Sequence, residues 1–201
     1  MLRSLVGSEM CIRDRIKSYV KVNSIEEAYE LNQKKTAIVL GGMVWLKMGN
    51  RNISTAIDLS GLGLAGIQET DEEFVIGCMT TLRELETDKR LNEYTQGAVR
   101  ESVRHIVGVQ FRNCATVGGS IWGRYGFSDV LTMFLGMDTW VELHNAGKIP
   151  LTEFVDRKKD NDILVNIIVK KQPLRVCYMS QRNTKTCLLY TSDAADDSLR
   201  V

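Results

Sequence analysis

The spacing of apolar and polar positions changes several times along the chain, and each change predicts an element. Ile16 to Val22 alternates as a half-buried strand does. Ser24 then opens a helix, with Glu27 completing an S-x-x-E capping box and Ala28 and Leu31 on the inner face. Thr36-Ala37-Ile38-Val39-Leu40 is a short continuous apolar run, the pattern of a strand buried on both faces, and it leads into Gly41-Gly42. Trp45-Leu46-Lys47-Met48 predicts a helical turn or two, ended by Gly49-Asn50, and Ala56-Ile57-Asp58-Leu59 predicts another buried strand. Residues 16–66 therefore read as a small β-α-β unit with parallel strands.

The character changes after residue 70. Phe74-Val75-Ile76-Gly77 predicts a strand following the Thr70-Asp71-Glu72-Glu73 turn. Thr81 and Glu84 form a capping box for a helix over 82–91. Ala98/Val99, Ser102/Val103 and Ile106/Val107 recur at helical spacing and predict a second helix with one buried face. A glycine-rich loop follows, then a helix over Val130–Leu135 and a strand over Thr139–Leu143. After these come a turn at Gly147-Lys148, a short element at Leu151–Phe154 and a strand over Ile163–Val169. Short strands and helices in this order suggest an α+β unit with an antiparallel sheet.

The two ends carry a different signal. Met10-Cys11-Ile12-Arg13-Asp14 can be encoded by ATG TGT ATA AGA GAC, and Cys187-Leu188-Leu189-Tyr190-Thr191-Ser192 by TGT CTC TTA TAC ACA TCT. The reverse complement of the second word contains the first in a shifted frame. One DNA word on opposite strands at both ends is the mark of a sequencing-library adaptor read through into protein. Residues 1–15 and 187–201 are accordingly set aside as non-native. A signal peptide at 1–15 is a poor alternative, because the stretch has no apolar central region and no small-residue cleavage site.

Composition narrows the function classes for 16–186. Removing the four basic and five acidic residues of the ends from 26 and 25 leaves 22 basic against 20 acidic residues. Near-neutrality argues against a nucleic-acid-binding surface. No apolar run reaches the length of a transmembrane helix. Cys78, Cys114 and Cys177 are isolated and odd in number, as reduced core thiols of a cytoplasmic protein are. His105 and His144 have no partner at ligand spacing, so a metal site is not expected.

Three glycine clusters offer candidate chemistry. Gly61-Leu62-Gly63-Leu64-Ala65-Gly66 matches G-x-G-x-x-G, but a dinucleotide fingerprint needs a helix to open there, and the polar stretch Gln68–Glu73 gives way to a strand instead. That match is read as a loop between two subdomains. Gly41-Gly42, at the end of a buried strand, offers free backbone N–H groups at the carboxyl edge of a parallel sheet, or else is an ordinary tight turn. The third cluster, Asn113 to Asp129, holds four glycines with a helix cap at Ser128 and an acid at Asp129 in the first turn. It suits a phosphorylated ligand, although Gly118-Gly119 as a strand kink and Asp129 as a simple dipole partner remain open. Trp122, Tyr125 and Phe127 suit either a core or a stacking surface.

The ordered set L-G-G at 40–42, A-I-D-L at 56–59, I-G-C-M-T-T-L-R-E-L at 76–85, R-N-C-A-T-V-G-G-S at 112–120 and S-D at 128–129 resembles the FAD-binding subunit of molybdopterin hydroxylases. This is the family of the xanthine dehydrogenase FAD subunit and the carbon monoxide dehydrogenase medium subunit. The resemblance runs over essentially all of 16–186. It implies an α+β, two-subdomain FAD-binding fold of the vanillyl-alcohol-oxidase/MurB (PCMH) type. Residues 16–70 would be the small parallel subdomain and 71–186 the second, antiparallel one.

The resemblance also implies site residues. Val39, Leu40, Gly41, Gly42, Met43, Val44 and Trp45 would bind the FAD pyrophosphate and adenosine side, mainly through backbone N–H. Thr116, Gly118, Gly119 and Ser120 would complete the pyrophosphate and ribityl contacts. Asp129 would accept from a hydroxyl or amine of FAD, and Ile106 would pack on the adenine. A [2Fe–2S] subunit and a molybdopterin-binding subunit are the implied partners, with electrons leaving through FAD to NAD or another acceptor. No catalytic side chain, metal, nucleic acid or membrane is expected. Two departures stand out. Met43-Val44 replaces the Thr-Asp or Thr-Glu of many relatives, and the family-like Arg175–Thr186 runs into the adaptor word at Cys187, so the C-terminal domain of the family is missing. A stand-alone flavin oxidoreductase of the same fold and a non-catalytic assembly module are the alternatives.

Overall fold

The chain opens with β1 (Ile16–Lys21), α1 (Ile25–Asn32), β2 (Ala37–Leu40) and β3 (Ile53–Asp58), and the three strands form a parallel sheet in the order β1-β3-β2. The computed structural model describes residues 16–44, 46, 49 and 51–180. In α1 the Ser24 hydroxyl accepts from the Glu27 N–H, while the Glu27 carboxylate reaches one residue further back, to the Asn23 N–H. The predicted box is thus closed on Asn23, which satisfies an equivalent donor of the incoming chain. Central β3 is buried almost throughout, whereas edge strand β2 is half-buried up to Leu40. That corrects the expectation of a β2 buried on both faces: an apolar run does not reveal whether its strand is central or at an edge.

An antiparallel sheet follows in the order β4-β5-β8-β6-β7, built from β4 (Ile67–Glu69), β5 (Glu73–Gly77), β6 (Thr139–Leu143), β7 (Gly147–Pro150) and β8 (Leu164–Lys170), every adjacent pair running antiparallel. Its helices are α2 (Leu82–Thr87), α3 (Lys89–Tyr94), α4 (Ala98–Arg104), α5 (Val109–Cys114), α6 (Val117–Trp122), α7 (Asp129–Leu135) and α8 (Leu151–Asp156). The whole is a mixed fold with one parallel and one antiparallel sheet. Val22, Ala28, Ile57 and Leu59 of the first unit join Phe74, Leu85, Phe134, Phe154 and Ile167 of the second in one continuous core. Each fully buried large side chain contributes about 1.5–3 kcal/mol, against ~1 kcal/mol for a helix cap. The shared core therefore decides the arrangement, and the caps decide only where helices begin.

Several local expectations change. The helix expected over 82–91 is two helices, because Asp88 ends α2 in an extended conformation and its carboxylate caps α3 by accepting from the Leu91 N–H. The Thr81–Glu84 capping box at the start of α2 is complete. The helix expected to include Ile106/Val107 stops at Arg104; Val107 lies outside it, 81% exposed with φ of +50°. Gln68 belongs to β4, a short edge strand, since pairing to β5 outweighs its polar side chains. Gly147, expected in a turn, has φ of +71° and starts β7. The Leu151–Phe154 element is α8, started behind Pro150.

A buried ion pair ties α5 to α2. Arg112 Nε donates to Glu86 Oε2 at 2.8 Å, both side chains lying under 10% exposed, and Arg83 adds a second contact to the same carboxylate at 2.9 Å. Burial alone would raise the Glu86 carboxyl, but the hydrogen bonds and charges of Arg83 and Arg112 together hold it below the usual glutamate range. A depressed folded-state value contributes stability above the unfolded value and loses it as pH falls through the folded one. Urea unfolding measured from neutral pH downward should show stability falling below the ordinary glutamate range, and Glu86→Gln should flatten that slope.

Candidate functional site

Parallel pairing aligns Lys21, Leu40 and Asp58 at the carboxyl edge of the first sheet. The chain leaves that edge as Gly41-Gly42 and meets the segment joining α5 to α6. A Cβ on Gly42 would stand 2.1 Å from the Cys114 carbonyl oxygen and 2.6 Å from Ala115 Cα. One on Gly41 would stand 2.9 Å from Thr116 Oγ1 and 3.7 Å from Gly119 Cα. The two glycine clusters, more than seventy residues apart in sequence, are therefore backbone against backbone. Among the described residues, the backbone N–H groups of Gly41, Gly42 and Met43 donate no hydrogen bond. They remain available to an anion at a strand end, where α/β sheets take ligands.

The other wall is held from beneath. Val117 N–H donates to Thr80 O at 2.8 Å, Gly118 N–H to Cys78 O at 2.9 Å and Leu82 N–H to Ala115 O at 2.9 Å, and Thr81 bridges Thr116 antiparallel. The expected open glycine loop is thus mostly helix. Asn113 and Cys114 complete α5, Thr116 caps α6 by accepting from the Gly119 N–H at 3.2 Å, and Gly118 and Gly119 lie within α6. Helix is tolerated here because packing offsets the poor propensity of glycine: a Cβ on Gly118 would sit 2.5 Å from Cys78 O. Gly118 accordingly faces the Cys78 backbone and donates to it, while exposed Gly119 and half-buried Ser120 are on the side of Gly41 or of solvent. The Ser120 hydroxyl donates to Thr116 O at 3.1 Å. Burial pushes the Cys78 thiol up to about 12, which makes it packing rather than chemistry, whereas Cys114 and Cys177, expected in the core, are exposed.

Val39 and Val44 are half-buried against the main core, Leu40 is buried on the opposite face of the parallel sheet, and Trp45 lies outside the described residues. Met43 is half in solvent with φ of +56°, a conformation that costs a non-glycine residue about 1–2 kcal/mol. Ile106 is half-buried in the turn before α5, and its carbonyl accepts from Arg112 Nη1 at 3.1 Å. Asp129 opens α7 behind its Ser128 cap, and its carboxylate accepts from the Tyr178 hydroxyl. Trp122 packs on the core against Phe154, whereas Tyr125 and Phe127 are exposed and stacked at 5.2 Å. The Gly61–Gly66 segment opens no helix; it leads into β4, with Thr80 Oγ1 bonded to both the N–H and the carbonyl of Gly66. Cys114, Ala115 and Arg112 shape the site through backbone and buried contacts, for which the R-N-C-A-T string that contains them is the one sequence signal. Among the described residues, no group of His, Cys, Asp and Glu gathers as metal ligands, and no helix is long and apolar enough to cross a membrane.

A family model described as "FAD binding domain in molybdopterin dehydrogenase" matches residues 12–171. The chain belongs to that family. FAD is the family's cofactor, and the backbone N–H groups of Gly41, Gly42 and Met43, which donate to no described residue, fit its pyrophosphate. The chain is 27% identical over 170 residues to the 6-hydroxypseudooxynicotine dehydrogenase complex subunit alpha of Paenarthrobacter nicotinovorans, covering 77% of this chain and 57% of that protein. It is 26% identical over 170 residues to the uncharacterized protein YgfM of Escherichia coli K12, covering 81% and 62%. Its fold is similar to a chain of carbon monoxide dehydrogenase from Hydrogenophaga pseudoflava, with a TM-score of 0.74, 22% identity, and 85% and 65% coverage. It is likewise similar to a chain of quinoline 2-oxidoreductase from Pseudomonas putida 86, with a TM-score of 0.77, 17% identity, and 85% and 65% coverage. The chain thus spans about three fifths of the length of the curated relatives it matches.

Three of the four site glycines should respond differently to alanine. Gly42→Ala and Gly118→Ala place a methyl into rigid backbone and should lower the unfolding midpoint, Gly42→Ala also losing FAD binding in a fluorescence titration. Gly119→Ala meets only the Thr116 hydroxyl at 3.1 Å and should be the mildest of the three. Met43→Asn, better suited to a positive φ, should raise stability by up to ~1 kcal/mol in chemical denaturation.

Proposed function

We propose that this chain is the FAD-binding part of an oxidoreductase subunit, working in a complex with a [2Fe–2S] subunit and a molybdopterin-binding subunit. The observation that carries the reading is the seat of Gly42 on Cys114–Ala115, which sets unpaired N–H groups of 41–43 beside the Thr116 cap. FAD, when bound, supplies the redox chemistry by which such a subunit relays electrons from iron–sulphur centres to NAD or another acceptor.

The protein's own residues bind and orient. Gly41, Gly42 and Met43 donate backbone N–H to the pyrophosphate, and exposed Gly119 leaves room for it to approach. The Thr116 hydroxyl, 2.9 Å from where a Cβ on Gly41 would stand, completes the cradle, and the Ser120 hydroxyl, now donating to the Thr116 carbonyl, adds to it. Asp129 accepts from a hydroxyl or amine of the cofactor, and Ile106 supplies an apolar surface for the adenine. No side chain is needed as general base or nucleophile. Met43-Val44, where many relatives carry Thr-Asp, leaves the first loop with backbone donors alone. The domain division 16–70 and 71–186, the PCMH type of the fold, and the adaptor origin of 1–15 and 187–201 are parts of the same proposal. Support for a larger parent protein is the length of the relatives, beyond the region matched here.

The 201-residue chain, titrated with FAD, should quench flavin fluorescence saturably, with ADP as a competitor through the shared pyrophosphate. The same frame extended by its genomic continuation should bind more tightly. If both proteins are folded by circular dichroism yet bind neither FAD nor ADP, the proposal is wrong.

A further inference from the structure

Arg112 is the most deeply buried guanidinium near the cradle, and all three of its nitrogens are used. Nε and Nη2 face the Glu86 carboxylate at 2.8 and 3.5 Å, and Nη1 donates to the Ile106 carbonyl at 3.1 Å. Only 5% of the residue is exposed. One planar fork thus joins three pieces of chain: α2 through Glu86, the turn before α5 through Ile106, and α5 itself, on which Arg112 is carried. The end of α5, two residues on, is the Cys114–Ala115 backbone that receives Gly42. The turn it grips is strained, since Val107 is a β-branched residue at φ of +50° with 81% of its surface in solvent. Neither that conformation nor that exposure is favourable locally, so the turn is held by its neighbours. The Ile106 carbonyl bond is the side-chain contact that does so.

We infer that Arg112 is a positioning residue for the phosphate cradle, fixing the end of α5 against α2 and thereby the seat of Gly42. It never touches the cofactor. The tolerance at that seat is small: backbone atoms already stand where a single Cβ would fall, so a tilt of α5 displaces the receiving wall relative to the N–H groups of 41–43. Lysine keeps the charge but cannot span Glu86 and Ile106 with a fork. The inference rests on the FAD-binding reading of the cradle.

The test uses the 201-residue chain and ADP, which carries the pyrophosphate without the flavin. Arg112→Lys should weaken ADP and FAD binding by about tenfold, the equivalent of one charge-assisted hydrogen bond. Val141→Ala, a cavity in the antiparallel sheet, serves as the control for lost stability alone. It should lower the unfolding midpoint and leave the affinity of the folded protein unchanged. Should Arg112→Lys not fold, the double variant Glu86→Leu/Arg112→Met replaces the pair by apolar side chains, an exchange that buried ion pairs often tolerate. That variant should keep its unfolding midpoint and still lose ADP affinity. The inference is overturned if either folded variant binds ADP as the wild type does. It is equally overturned if Arg112→Lys and Val141→Ala lose affinity in the same proportion to their loss of midpoint. A wild-type chain that binds neither ADP nor FAD defeats instead the reading of the cradle.

Discussion

The contact of Gly42 with the Cys114–Ala115 backbone is the constraint on which the rest of the site depends. Two segments approach to a distance that leaves no room for a side chain, and everything around them serves to keep that approach. On one side β2 delivers the glycines from a parallel sheet whose central strand is buried. On the other, the Cys78–Leu82 segment pins residues 115–118 by three backbone hydrogen bonds, and Arg112 with Glu86 holds the helix that ends there. The continuous core beneath gives the two units a common foundation. A backbone cradle suits a ligand whose charge is carried by phosphate oxygens, because N–H dipoles match it without a side chain that could swing away.

The glycine-rich stretch is instructive for the same reason. Its composition suggests an open loop, and much of it is helix. Thr116 supplies a cap, and Gly118 is required where α6 runs against the Cys78 backbone, so glycine here permits close packing rather than bending. The two adjacent glycines divide the work: Gly118 faces inward to the second unit, and Gly119 faces outward on the side of Gly41. Asp129 and Ile106 are each engaged by a protein group, Tyr178 for one and Arg112 for the other.

Much of the architecture is legible in short-range pattern. Ser24, Thr81 and Ser128 mark their helix starts because a capping side chain bonds to backbone within three residues; the strand at 139–143 follows its alternation, while β1 ends at Lys21 and is exposed at Ser18, where alternation would bury it. The G-x-G-x-x-G string is likewise correctly discounted, since a strand follows it. Less legible are features where one residue has two local options or where burial comes from afar. Asp88 splits a helical run by capping its second half, β2 lies at an edge despite its apolar run, and Val107 is forced outward where the helical period would bury it. Asp88 settles a choice between two local options, whereas the exposure of β2 and Val107 is set by chain outside the few residues that carry the pattern.

By itself the sequence determined the periods, caps, glycine positions and the family resemblance, because these depend on chemistry within a few neighbouring residues or on strings of motif length. It also marked both glycine clusters as candidates for one ligand. Only the tertiary structure decided that the clusters touch, that Gly118 and Gly119 look in opposite directions, and that Arg112 bridges the wall of the cradle. Those facts depend on chain segments far apart in sequence that the shared core brings within a few ångströms, a distance no local pattern encodes.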